Sequence, residues 1–175
     1  MKKYISLFVF LVIFSFGALA QTLAYVDSEY VLQHIPEYSS AQKQLNAMAE
    51  LWQKDINDKF AEVEKMKLDY KADQVLLTED MRKKRELEIF QKEQQANDLQ
   101  QAKFGFEGEL YKEKLRLIKP IQDRVAKAIE EYANKENIDL VLDKSTVTLL
   151  FARANFNGTN DVIIKLGYKP GSFAN

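Results

Sequence analysis

The sequence predicts an α+β fold that is mainly α: a small β-rich oligomerisation body with a long antiparallel coiled-coil helical hairpin arm. Three observations predict it. Between Ser39 and Lys135 stand only two glycines and one proline, while Lys, Glu, Gln, Ala and Leu dominate. That bias belongs to long helices. Within the same stretch, apolar residues recur at helical spacing along two segments of comparable length. The flanks differ: they hold short β-branched and aromatic runs set off by Gly, Asn and Pro.

Residues 1–20 read as a secretory signal peptide. Lys2 and Lys3 form the basic start, Ile5 to Phe16 is apolar apart from two serines, and Ala18-Leu19-Ala20 gives the small-x-small pattern for cleavage after Ala20. The apolar run is shorter than the roughly 20 residues a membrane span needs. The expected mature chain is therefore exported and soluble. Its loss of two lysines and no acids leaves 23 basic against 26 acidic side chains, a formal charge of −3. This balance offers nucleic acid no attraction. There is no cysteine, which excludes disulfides, metal thiolates and a cysteine nucleophile.

Leu23 to Val26 is the first expected strand, with Asp27 or Ser28 capping a short helix from Glu29 to Ile35. Pro36 suits the first turn of the next helix, where its missing N–H costs nothing. From Ala41, the residues Leu45, Met48, Trp52, Ile56, Phe60, Val63, Met66 and Tyr70 make one stripe. A helix from Pro36 to about Gln74 would be roughly 55–60 Å long, and so long a stripe needs a helix beside it. Val75-Leu76-Leu77 breaks the pattern, and Thr78 is placed to cap a returning helix whose start holds Glu79 and Asp80. The returning stripe takes in Leu87, Phe90, Leu99, Ala102, Phe106, Leu110, Leu117, Ile121, Val125, Ala128 and Tyr132. The arm thus covers 36–135, with its tip near 74–80. Gly105, Gly108 and Pro120 are weak points in the return, and a kink is expected at Pro120.

Residues 21–35 and 136–175 make the discontinuous body. Ile138 to Asp143 and Val147 to Ala152 are expected strands joined by Lys144-Ser145-Thr146. Asn160 is expected to cap a short helix from Asp161 to Leu166, which Gly167 ends. So small a base is marginal alone, and its strand edges need covering. Association of several copies meets both needs.

The chemistry that is missing points the same way. His34 is the only histidine, with no second ligand of its kind for a metal. Ser28 and Ser145 have no histidine partner in their sequence context. Gly105-Phe106-Glu107-Gly108 lies inside a helical pattern and follows no strand, so it is no nucleotide loop. Neither an enzyme nor a cofactor is expected. Arg82, Lys83, Lys84 and Arg85 near the tip are candidates for contact with anionic lipid or lipopolysaccharide, although neighbouring Glu and Asp weaken their field.

In order, the sequence resembles the Skp/OmpH family of periplasmic chaperones. The resemblance rests on the signal peptide, Ala24 to Leu32, Ile35-Pro36-Glu37-Tyr38, Leu77 to Asp80, Lys119-Pro120-Ile121, Ile138 to Asp143 and Asp161 to Leu166. It implies a periplasmic homotrimer whose body holds three hairpins around a cavity. It also implies an ATP-independent holdase that keeps unfolded outer-membrane proteins soluble before membrane assembly. On this reading Tyr25, Val26, Leu140, Val141, Leu142, Leu150 and Phe151 form the oligomer interface. Leu68, Tyr70, Phe90, Phe104 and Phe106 either face clients or pack within the hairpin; one sequence does not separate the two. Known members look strongly basic, and this chain departs from that, so apolar and amphipathic arm surfaces carry the expected capture. The competing reading is a coiled-coil scaffold of the cell envelope.

Overall fold

The computed structural model describes residues 22–174. The expected signal peptide, 1–20, lies outside them. The elements run β1 (Leu23–Val26), α1 (Ser28–Leu32), α2 (Pro36–Asp73), α3 (Glu79–Phe104), α4 (Glu109–Glu136), β2 (Leu140–Asp143), a 3-10 turn (Ala154–Phe156) and α5 (Thr159–Lys165). The described residues fall into two compact units, 22–31 with 125–172, and 32–124 with 173–174.

In the first unit β1 and β2 pair in parallel, Leu23 against Leu140 through Val26 against Asp143. Ala24, Val26, Val31, Val125, Ala128, Val162 and Ile163 are its buried apolar residues. Local chemistry sets each boundary. The Asp27 carboxylate accepts from Tyr30 N–H at 2.9 Å and so caps α1. Asn137 takes a left-handed φ of 53° after α4, and Ile138 N–H reaches back to the Ala133 carbonyl at 2.9 Å. That is a Schellman stop, one of the few places where asparagine is at ease. Gly167, at φ 88°, closes α5 in the same way, as its place in the sequence predicts.

The second unit is the hairpin. α2 starts with Pro36 in its first turn and ends one residue before Gln74. The Thr78 hydroxyl accepts from Met81 N–H at 3.4 Å and starts α3. Ala41, Leu45, Ile56 and Val63 are the buried residues of α2, every one on the expected stripe. His34 is buried, and its ring lies 4.8 Å from that of Phe173.

Five expectations need correction. Val147–Ala152 forms no strand: no neighbouring strand in the single chain offers it a ladder, so its backbone stays irregular. The return is two helices rather than one. It breaks at Gly105–Gly108, where Glu107 takes a left-handed φ of 52°, and two glycines at about 1 kcal/mol each are enough to favour a break. Pro120 lies within the span of α4. The short helix α1 ends at Leu32 rather than Ile35, and α5 starts at Thr159 with Gly158 in the cap position rather than Asn160. Finally, the buried residues of α3 are Ile89 and Ala96; Leu87, Phe90, Ala102 and Phe106 are exposed.

Candidate functional site

Cross-helix pairs fix the register of the hairpin. Tyr70 donates to Glu86, Lys67 bridges to Glu93 at 2.9 Å, Glu62 meets Lys92 at 3.0 Å, Trp52 meets Phe104 edge-on with ring centroids 6.3 Å apart, and Glu37 meets Arg124 at 3.1 Å. As the outgoing number falls from 70 to 37, the returning number rises from 86 to 124, the signature of antiparallel helices. The apolar seam between these pairs holds Ile56, Val63, Ile89 and Ala96, joined further on by Ile118 and Ile121.

The seam settles where the sequence-predicted arm residues lie. Tyr70 and Phe104 are half-buried and make the cross-helix contacts just described. The Glu86 hydrogen bond, with help from burial, holds the Tyr70 phenol above its ordinary pKa. Leu68, Phe90 and Phe106 point away from the seam, and Phe90 is 63% and Phe106 91% exposed. Leu51, Leu87, Tyr111 and Leu115 are also exposed. Of these, Leu51, Tyr111 and Leu115 have no place in the sequence-derived stripes. Their exposure is foreshadowed only by their falling between stripe positions. Leu87 and Phe90 are three apart on α3, and Tyr111 and Leu115 four apart on α4, so each pair shares a helix face.

At the tip, Arg82 Nε donates to the Leu77 carbonyl at 3.2 Å, Lys83 pairs with Glu79 at 3.0 Å and Arg85 with Glu88 at 3.2 Å. Lys84 and Arg85 line a shallow cavity with Leu77, Met81 and Glu88. Most of the basic run is thus tied to local carbonyl and carboxylate groups, which weakens its reach toward a distant anion.

In the first unit, the predicted interface residues divide. Val26 is filled in by its own chain, and Tyr25, Val141 and Leu142 are half-buried. Leu140 is exposed, and Leu150 and Phe151 are 93% and 81% exposed. Asp143, at the end of β2, accepts from Ser28 N–H (3.1 Å), Ser28 Oγ (2.6 Å), Ser145 N–H (3.0 Å) and Ser145 Oγ (2.8 Å). Partial burial works to raise its pKa, but the Ser28 and Ser145 donors together outweigh burial and hold it below the ordinary value. The cluster is a strand-end clamp: it contains no base or metal partner for catalysis. Among the described residues no group of three or more His, Cys, Asp or Glu side chains is placed to hold a metal, and no helix is long and apolar enough to cross a membrane.

Comparison with known proteins follows the same outline. The sequence matches none of the curated proteins. Among solved structures, a candidate outer membrane chaperone (OmpH-like) from Caulobacter crescentus superposes with a TM-score of 0.64 at 11% identity, over 90% of this chain and 91% of that one. At that identity the likeness is one of fold. The family model described as "Outer membrane protein (OmpH-like)" matches residues 22–166, a span that takes in both strands, the whole hairpin and α5. The chain belongs to the OmpH-like family.

Proposed function

We propose that this protein is a non-enzymatic, ATP-independent holdase of the periplasm that binds unfolded outer-membrane proteins and keeps them from aggregating before membrane assembly. One observation carries the reading. The hairpin seam is already closed by Ile56, Val63, Ile89 and Ala96, yet a second set of large apolar side chains stands in water, among them Leu68 on α2, Phe90 on α3 and Phe106 in the break between α3 and α4. A helix pair whose only task is to hold itself together has no need of that second set. Apolar groups displayed without a pocket give many weak contacts of no fixed geometry. Such contacts suit a client that has no fold of its own, and they release it without a nucleotide cycle. Family membership and the fold shared with a candidate outer membrane chaperone support the same reading.

Self-association, as a trimer in this proposal, is supported by the first unit. A two-stranded sheet is marginal in water. Leu140 in the sheet and Leu150 and Phe151 in the segment after it remain exposed, and a further copy would cover them. The charge-mixed tip leaves anionic lipid or lipopolysaccharide as a lesser contact for Arg82 to Arg85.

The test is dilution of a urea-unfolded outer-membrane barrel protein into buffer with and without the mature chain, following light scattering and the mass of any complex. Suppressed scattering and a soluble complex at stoichiometric amounts are expected. Unchanged aggregation would remove the holdase reading and leave an envelope scaffold in its place.

A further inference from the structure

We propose that Gly105–Gly108 is a built joint in the returning side of the hairpin, held shut by Lys103. The break is not a helix that has merely frayed. A Cβ on Gly105 would lie 2.4 Å from the Gln101 carbonyl oxygen, and one on Gly108 would lie 3.0 Å from the carbonyls of Ala102, Lys103 and Gly105. These are backbone atoms that cannot swing aside, so Gly105 is closed around glycine and Gly108 is tight against three carbonyls. Between them Glu107 is held in the left-handed region at φ 52°, a conformation that persists in a non-glycine residue only where its surroundings enforce it. The outgoing helix α2 runs from Pro36 to Asp73 without interruption, so only one of the two rails is jointed.

Lys103 ties the three helices together at this point. Its ammonium sits 4.6 Å from the centroid of the Trp52 ring on α2 and 2.5 Å from the Glu109 carboxylate in the first turn of α4, while its own backbone belongs to the last turn of α3. The side chain is only 20% exposed, so cation–π attraction and the ion pair act partly shielded from water. Phe104 beside it meets Trp52 edge-on. With Lys103 in place, the angle between α3 and α4 is fixed against α2. With it released, the glycines leave α3 and α4 free to change their angle while the seam through Ile56, Val63, Ile89 and Ala96 stays closed. The joint is a property of the hairpin itself, and its test needs no client.

Trp52 is the chain's only tryptophan, so its emission reports on the latch directly. In full-length mature protein, Lys103→Gln is expected to speed amide exchange at residues 105–112 by about five- to tenfold and to shift Trp52 emission to the red. Exchange at the seam amides near 56–63 and 89–96 is expected to stay as in the parent, and Lys103→Arg to keep the slow rate. No change at 105–112, or a uniform acceleration along the whole hairpin, would overturn the latch. Gly105→Ala separately tests whether the break is built. A lowered thermal midpoint is expected; a raised midpoint with more helix would mean a continuous helix was available, and the joint would be refuted.

Discussion

Ile89 and Phe90 are neighbours in sequence with opposite assignments, and that makes them the sharpest probe of the hairpin. Ile89 is 7% exposed and Phe90 63%. Ile89→Ala removes three carbons from the seam. At about 0.8 kcal/mol per buried carbon this is roughly 2.4 kcal/mol, from which alanine's better helix propensity returns about 0.4 kcal/mol. A loss of about 2 kcal/mol is expected, at the low end of core truncations because a two-helix seam beside water can partly close over the gap. Phe90→Ala removes a larger side chain of which only about a third is covered, worth roughly 0.5–1 kcal/mol, and regains about 0.5 kcal/mol in propensity. Its net cost is expected within about 0.5 kcal/mol of zero.

The assay is urea unfolding followed by far-ultraviolet circular dichroism at one fixed protein concentration, since association adds to apparent stability. Scattering of an unfolded barrel protein supplies the second axis. Phe90→Ala should weaken aggregation suppression at unchanged stability, whereas Ile89→Ala should lose stability first. Equal costs for the two, or a larger cost for Phe90, would place the seam along Leu87 and Phe90 and refute the division of the arm into a closed seam and an open face.

Four further outcomes follow from the first unit. Asp143→Ala is expected to cost about 1–3 kcal/mol, because Ser28 and Ser145 lose a charged acceptor; a thermal melt checks it. The same carboxylate gives a pH dependence. Its folded pKa lies below its unfolded value, so its contribution is complete above the ordinary aspartate range and is lost as pH falls through the lower folded value. Melts between pH 7 and pH 2 should therefore show a steeper acid decline for the parent than for Asp143→Asn. Gly158→Ala would set a Cβ 2.4 Å from Cε1 of Tyr132, a clash expected to cost about 1–3 kcal/mol and to shrink in the Tyr132→Leu background, as a double-mutant cycle would measure. Leu150→Glu with Phe151→Glu should lower the mass seen by light scattering without loss of helix; an unchanged mass would leave those side chains out of any interface.

What the sequence discloses depends on whether a residue's role is settled by its near neighbours. Pro36, Thr78 and Gly167 mark boundaries that the structure keeps, since a proline's missing N–H, a capping hydroxyl and a left-handed stop act within a few residues. The α2 stripe is equally legible because most of its flanking residues are charged or amide, and the off-stripe Leu51 and Leu68 are too few to make a rival stripe. α3 is harder. Its apolar residues are few and lie on two faces, so size favours Leu87 and Phe90 whereas the register favours Ile89 and Ala96. The deciding information is long-range: Lys67 with Glu93 and Glu62 with Lys92 lock the rotation of α3 against α2, and pairs across a tip have no period to detect.

Val147–Ala152 likewise depends on distant neighbours. Its run of Val, Thr, Leu, Leu, Phe and Ala is strand-like in every local respect, yet strand formation requires a neighbouring backbone, and the single chain supplies none there. Propensity without a partner leaves Leu150 and Phe151 in water. Phe90 and Phe106 stand in the same relation to the hairpin, being apolar by composition and exposed by register. In both units, then, the residues that local rules misplace are the ones whose burial the isolated chain does not provide. Under the proposed function, a further copy at the sheet and an unfolded client on the arm would complete the apolar contacts that this fold leaves open.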